Sequence, residues 1–296
     1  MDYKYRFTLF VACYNSAKFI HRAFNSVDNF SFRDFELIIV NDASTDNTHE
    51  IIEAYIKTAK FPIKYFNREK NAGVLANIAL ALDNAEGEMF IGLGHDDEYS
   101  PKMLETFDAL LKKYDSPDIA GIGALCETQY GKLVDFKYPE DVYIVLGWTA
   151  FVQNGRLRTE CPVYFKTQIF KEYKKKYPNM AYPANIIGTD YKIIFTNEIV
   201  RTYYVNENPN RLTARSRHDV VKQEGLLAHI NYVNRAQYII KGNFKIKLRL
   251  FFQYPFYGCH YGWGLGEMLN HVERTRDKIF VTLMYPFAFA LSKRLK

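Results

Sequence analysis

Phe35-Glu36-Leu37-Ile38-Ile39-Val40-Asn41-Asp42 is the stretch that decides the fold. Its apolar run is short, rich in β-branched residues and closed by an Asn-Asp turn, which reads as a buried strand. A helical pattern follows, with Ile51, Ile52, Tyr55 and Ile56 on one face. Upstream, Phe7 to Cys13 reads as a first strand, with a helix over about 17–27. Downstream, Pro62 to Phe66 reads as a third strand and Ala72 to Leu82 as a helix. Glu86-Gly87 breaks that helix, and Met89 to Leu93 forms a fourth strand ending in Gly94-His95-Asp96-Asp97. Strands alternating with helices at this spacing predict an α/β protein with a Rossmann-like, mostly parallel sheet flanked by helices.

Open parallel sheets bind ligands beyond the carboxyl ends of their strands. Tyr14-Asn15, Asn41-Asp42 and Asp96-Asp97 should therefore meet in one crevice. A dinucleotide fold would place G-x-G-x-x-G after the first strand, but the turn there is Tyr14-Asn15-Ser16-Ala17, and no Walker P-loop occurs in the chain. Ordinary dehydrogenase and NTPase readings are demoted. Three acids in the crevice would repel a bare diphosphate, so a divalent cation is implied. Carboxylate oxygens suit Mg2+ or Mn2+ bridging to substrate phosphates. The substrate class is then a nucleotide diphosphate.

Of the 296 residues, 48% are hydrophobic and 24% charged, which excludes disorder as the main state. The net charge is +6, yet residues 241–296 alone hold ten Lys/Arg against three Asp/Glu, leaving the rest near neutral. An excess confined to one aromatic-rich end favours an anionic membrane surface over nucleic acid. The tail aromatics also read as an ordinary core or a homodimer interface, and the basic residues around them tip the balance towards membrane docking. Four scattered cysteines form no C-x-x-C pair, which fits a reducing, cytoplasmic compartment. The N-terminal apolar run is too short for a signal peptide. Ile279 to Leu291 is interrupted by Pro286 and falls short of the ~20 residues that span a bilayer.

From 118 to 165 the regular β-α beat is lost, and short strands with a helix near 140–153 are expected. A long helix is expected from Asp219 to about Lys241.

The quoted pieces resemble the family 2 glycosyltransferases, which have the GT-A fold. The matching motifs are Ala12-Cys13-Tyr14-Asn15, the stretch from Phe35 to Asp46, Asn71-Ala72-Gly73, Glu86-Gly87-Glu88, and Asp96-Asp97 with Pro101. The resemblance is strong over 6–105 and weak to about 218. It implies a catalytic domain over 1–218, with a nucleotide-sugar half (1–105) and an acceptor half (106–218), and a helical aromatic and basic extension over 219–296.

The resemblance further implies that Tyr14 and Asn15 contact the nucleotide and that Asp42 accepts a hydrogen bond from its base. Asn71 and Arg68 belong to the same donor site. Asp96 matches the metal position, Asp97 is the second acidic candidate, and His95 stays outside the metal set. Gly94 stands where the family often has the first Asp of Asp-x-Asp-Asp, and Ala76 precedes Asn77 where an Arg is frequent. Arg68 or Lys70 would then supply phosphate contacts. Ile187-Gly188-Thr189-Asp190-Tyr191 resembles the motif that carries the family's base before a helix, which makes Asp190 the general base. Arg215, Arg217 and His218 resemble a loop closing over the donor.

The implied activity is that of an inverting, hexosyltransferase-type enzyme, moving a sugar from a UDP-linked donor to a glycan or lipid-linked acceptor. The alternative is a non-catalytic nucleotide-sugar-binding or membrane-binding subunit of a glycan assembly complex.

Overall fold

The computed structural model describes residues 2–153, 156–157, 162–176, 183–205, 230, 233–234 and 244–294. The first strands are β1 (Tyr5–Cys13), β2 (Phe35–Asn41), β3 (Ile63–Asn67) and β4 (Gly87–Leu93). Helices α1 (His21–Asp28), α2 (Thr48–Thr58) and α3 (Val74–Asp83) connect them. Every residue of β2 is buried, as a central strand covered on both faces requires. The first helix begins at His21, later than the sequence pattern indicates. Residues 17–20 form a turn, because the Phe19 and Ile20 amides donate to Ser16 O at 2.9 Å.

The chain continues with β5 (Glu98–Tyr99), α4 (Met103–Tyr114), β6 (Ile119–Thr128), β7 (Val142–Leu146) and α5 (Gly147–Phe151). Then come β8 (Val152–Gln153), β9 (Arg156–Leu157), β10 (Val163–Lys166), α6 (Thr167–Lys176), α7 (Pro183–Asp190) and β11 (Lys192–Tyr203). The expected helix over 140–153 is corrected here. Val142-Tyr143-Ile144-Val145-Leu146 is β-branched and aromatic and pairs with β11, which leaves a helix of only five residues.

The main sheet runs β3-β2-β1-β4-β10-β6-β11-β5, with β7 paired to β11. Pairings among β1 to β4 are parallel, β10 is antiparallel to both β4 and β6, β11 is parallel to β6, and β5 is antiparallel to β11. The predicted mostly parallel α/β sheet is present. Its core packs Leu9, Val11, Leu37, Ile39 and Ile91 against Phe24, Val27, Met103 and Phe107.

At the amino edge of the sheet, Glu36 is wholly buried inside β2. Its Oε1 accepts from the Thr8 hydroxyl and the Glu86 amide, both at 2.7 Å, and Lys64 Nζ lies 2.8 Å from Oε2. The Gly87 amide donates to Thr8 Oγ1 at 2.8 Å. A Cβ on Gly87 would lie 2.3 Å from Thr8 N, so only glycine fits. Glu86-Gly87-Glu88 is therefore a sheet-building motif, at the opposite end of the strands from the crevice.

Two compact units divide the chain. One comprises 1–145, 159–178 and 191–210, and the other 146–158, 179–190 and 211–296. This division differs from a single boundary at 218, because 146–158 and 179–190 group with the C-terminal residues. The second unit contains α8 (Phe244–His260), α9 (Leu265–Asn270) and α10 (Thr275–Arg294). Phe251, Tyr254, Met268, Val272 and Val281 are buried together there, so part of the aromatic tail is core. The helix expected over 219–241 lies mostly outside the described residues; 230, 233 and 234 are helical.

Candidate functional site

Two turns at the carboxyl ends of β1 and β2 are bonded into one platform. The Asn15 amide donates to Ser44 Oγ at 2.9 Å, and Asn15 Oδ1 accepts from the Thr45 amide at 2.8 Å. The Ser16 amide donates to Thr48 Oγ1 at 2.8 Å, and the Ala17 amide to Asp46 Oδ2 at 3.2 Å. Asn15 and Ala43 both adopt left-handed backbone, with φ of +49° and +59°. Asn tolerates this region, whereas alanine pays a Cβ clash there. Tyr14 is exposed at 38%, its ring available at the edge of this platform.

Asp42, the residue after β2, is 3% exposed. Its Oδ1 accepts from the Ala72 amide at 2.8 Å and its Oδ2 from the Gly73 amide at 2.9 Å. Asn71 Nδ2 donates to the Asp42 carbonyl at 3.2 Å. The carboxylate thus pins the entry of α3 to the end of β2, with Gly73 at φ +82° making the bend. Each carboxylate oxygen retains a second lone pair, so a further donor from a ligand can be accepted. Arg68 Nη2 donates to the Ala76 carbonyl at 3.1 Å, inside α3. Beside these turns lies a cavity of about 440 Å3, lined by Asn41, Ser44, Asp46, His49, Asn67 and Arg68.

The acidic turn after β4 is built from three directions. Asp97 is wholly buried, and Arg201 of β11 reaches its Oδ2 through Nε at 2.8 Å and Nη2 at 2.6 Å. The Tyr204 amide donates to Asp97 Oδ1 at 3.2 Å. Arg22 of α1 donates to the Asp96 carbonyl at 3.2 Å, and its guanidinium stacks 3.7 Å from the Tyr204 ring centroid. Tyr99, in register with Arg201, accepts the Gly94 amide on its hydroxyl, and burial raises the phenol's pKa well above its usual value. A Cβ on Gly94 would stand 2.7 Å from Asp97 Oδ2, so the buried ion pair occupies the space the family's first Asp side chain would enter.

Asp97, the second acidic candidate for the metal, is held by protein groups. Both of its oxygens are engaged by Arg201 and Tyr204 within the protein, so it anchors the turn. Asp96 is 6% exposed and adjoins it in the same turn. Among the described residues no group of three or more His, Cys, Asp or Glu is arranged to hold a metal ion. One carboxylate completed by substrate phosphates and water is a donor set that Mg2+ and Mn2+ accept. The residues present fit such an ion on those terms.

Asp190 is exposed and is the last residue of α7, with the Thr189 hydroxyl donating to its Oδ1 at 3.1 Å. The expected setting, before a helix, is corrected: β11 follows it, because Lys192 to Tyr203 pairs into the sheet beside β6. It belongs to the second unit, whereas Tyr14, Asn15, Asp42, Asn71, Arg68, Asp96 and Asp97 belong to the first. Arg215, Arg217 and His218 lie outside the described residues. Sequence reasoning missed Arg22, Arg201, His49 and Asn67. Arg201 carried a faint signal, as an arginine within an otherwise β-patterned run facing a buried acid pair.

The model of glycosyl transferase family 2 matches residues 8–179. Over 290 residues, 97% of this chain and 33% of the relative, the sequence is 26% identical to a teichoic acid poly(glycerol phosphate) polymerase of Staphylococcus epidermidis. The chain spans about a third or less of the length of the first curated relatives it matches. S. aureus TarS 1-349, solved in complex with UDP-GlcNAc, shares the fold at a TM-score of 0.66 and 17% identity, covering 98% of this chain and 92% of that one. The mannosyltransferase PcManGT of Pyrobaculum calidifontis, solved with GDP-Man and Mn2+, matches at 0.52 and 15% identity, covering 98% and 87%. The predicted GT-A architecture is thus borne out, and on the family match over more than half of its length the chain belongs to glycosyl transferase family 2.

Proposed function

We propose that the chain is a metal-assisted, inverting glycosyltransferase, moving a hexose from a UDP-linked donor to a hydroxyl of a glycan or lipid-linked saccharide in surface-polymer synthesis. The observation that carries this reading is the convergence of Tyr14, the Asp42 turn and Asp96 at one edge of the sheet, in a fold that holds UDP-GlcNAc in TarS. The nucleoside lies against Tyr14 and Asn15, with Asp42 and Asn71 at the base, and Asp96 holds the cation. That cation, when bound, offsets the charge developing on the departing diphosphate. The protein's own residues do the rest. Arg201 and Arg22 keep the acidic turn in place, Asp42 fixes the donor platform, and Asp190 removes the proton of the acceptor hydroxyl as it attacks the anomeric carbon. The cytoplasm, where nucleotide sugars are available, is the compartment for this chemistry.

The test is release of nucleoside diphosphate from a panel of UDP-, GDP- and dTDP-sugars, with and without Mn2+. Turnover with a UDP-sugar, lost on Asp96→Ala and Asp190→Asn, is the expected result. Donor binding without turnover, even with membrane extract as acceptor, overturns the enzymatic reading in favour of a nucleotide-sugar-binding subunit.

A further inference from the structure

Helix α10 divides cleanly into two faces. Asp277, Val281, Ala288 and Ser292 are buried, whereas Ile279, Leu283, Phe287 and Leu291 are 56%, 57%, 67% and 40% exposed. A spacing of four residues places those four on one stripe, about 18 Å long. No charged residue occurs between Ile279 and Ser292. Basic residues bracket the stripe, with Arg274, Arg276 and Lys278 before it and Lys293 and Arg294 after it; the acids at the first bracket are Glu273, just ahead of α10, and the wholly buried Asp277, whose Oδ1 lies 3.7 Å from Arg276 Nε. Helix α8, stacked on α10 through Phe251 and Phe280, contains no acidic residue and exposes Phe244, Lys245, Leu248 and Arg249.

We infer that the outer face of α10 docks in the plane of an anionic phospholipid bilayer. Apolar side chains enter the acyl boundary, and the flanking Arg and Lys side chains meet headgroup phosphates. Among the described residues no helix is long and apolar enough to cross a membrane, so the helix lies in the interface. Charge argues against a second copy as the occupant. Pairing α10 with itself sets one basic bracket against another in either direction, whereas an anionic surface satisfies both. The inference does not depend on the proposed reaction.

The test is co-sedimentation of the 296-residue chain with vesicles of phosphatidylcholine alone or with about 30% phosphatidylglycerol. Binding to the anionic vesicles only, weakened at high salt, is expected. Leu283→Ser with Phe287→Ser is expected to lower that binding at least tenfold while leaving the thermal midpoint unchanged, since both side chains face outward. Arg294→Glu with Lys293→Glu should lower it without touching the apolar stripe. Equal binding to neutral vesicles, undiminished binding by the serine variant, or no binding to either vesicle overturns the inference. Dimerisation of the chain in light scattering that the serine variant abolishes also overturns it, in favour of a second copy.

Discussion

Arg201 holds Asp97 across 104 residues of sequence, with two guanidinium nitrogens at 2.8 and 2.6 Å from one carboxylate oxygen. The pair joins β11 to the turn after β4, and it fixes Asp96 by fixing the residue next to it. Asp97 has no access to solvent, so the groups that face it belong to the protein, Arg201 and the Tyr204 amide among them.

Removing the cation while leaving the buried anion is therefore expected to be severe. Arg201→Met should lower unfolding free energy by about 3–5 kcal/mol in urea titration. Asp97→Leu combined with Arg201→Met should recover most of that loss, because no charge is then left stranded.

Gly94 is the second lever on the same turn. With a Cβ due to stand 2.7 Å from Asp97 Oδ2, Gly94→Ala should destabilise by roughly 1–3 kcal/mol. Calorimetry reads this loss.

Asp42→Asn keeps the shape but offers one carbonyl oxygen to two amides, those of Ala72 and Gly73. A hydrogen bond to a charged acceptor is worth about 1.5–3 kcal/mol, so a stability loss of that size is expected, read by chemical denaturation. Isothermal titration with UDP should show weaker binding, since the start of α3 is no longer pinned to β2.

Ala43 sits at φ +59° without the freedom of glycine. Ala43→Gly should raise stability by about 0.5–1 kcal/mol, net of the extra entropy of the unfolded chain. Differential scanning calorimetry at matched concentration reads the shift.

The β-α half of the fold was legible because β1, β2 and β4 are mostly buried, so their apolar runs carry no competing pattern. Glu36 interrupts such a run, yet Thr8, the Glu86 amide and Lys64 absorb it without disturbing the strand. The second half was less legible. Val142 to Leu146 is too short to separate strand from helix by period, and its identity comes from β11, a partner about 50 residues further on. Asp96 and Asp97 are chemically identical neighbours, and sequence alone does not say which one faces inward. That choice is made by Arg201, whose approach is a tertiary event. Asp42 was read from motif and context as a nucleotide contact, and the geometry adds the capping role that its residue type also permits.

The position of β11 bears on synthesis as well as on stability. The parallel block β1 to β4 has been synthesised by residue 93, but Asp97 acquires its cationic partner only when residue 201 follows. Arg201 lies within β11, which pairs with β6, and β10 stands between β6 and β4, so the arginine reaches Asp97 as part of that half of the sheet. A chain stopped short of residue 201 lacks the guanidinium that Asp97 is paired with. The acidic turn is thus completed late in translation, once Arg201 has been added.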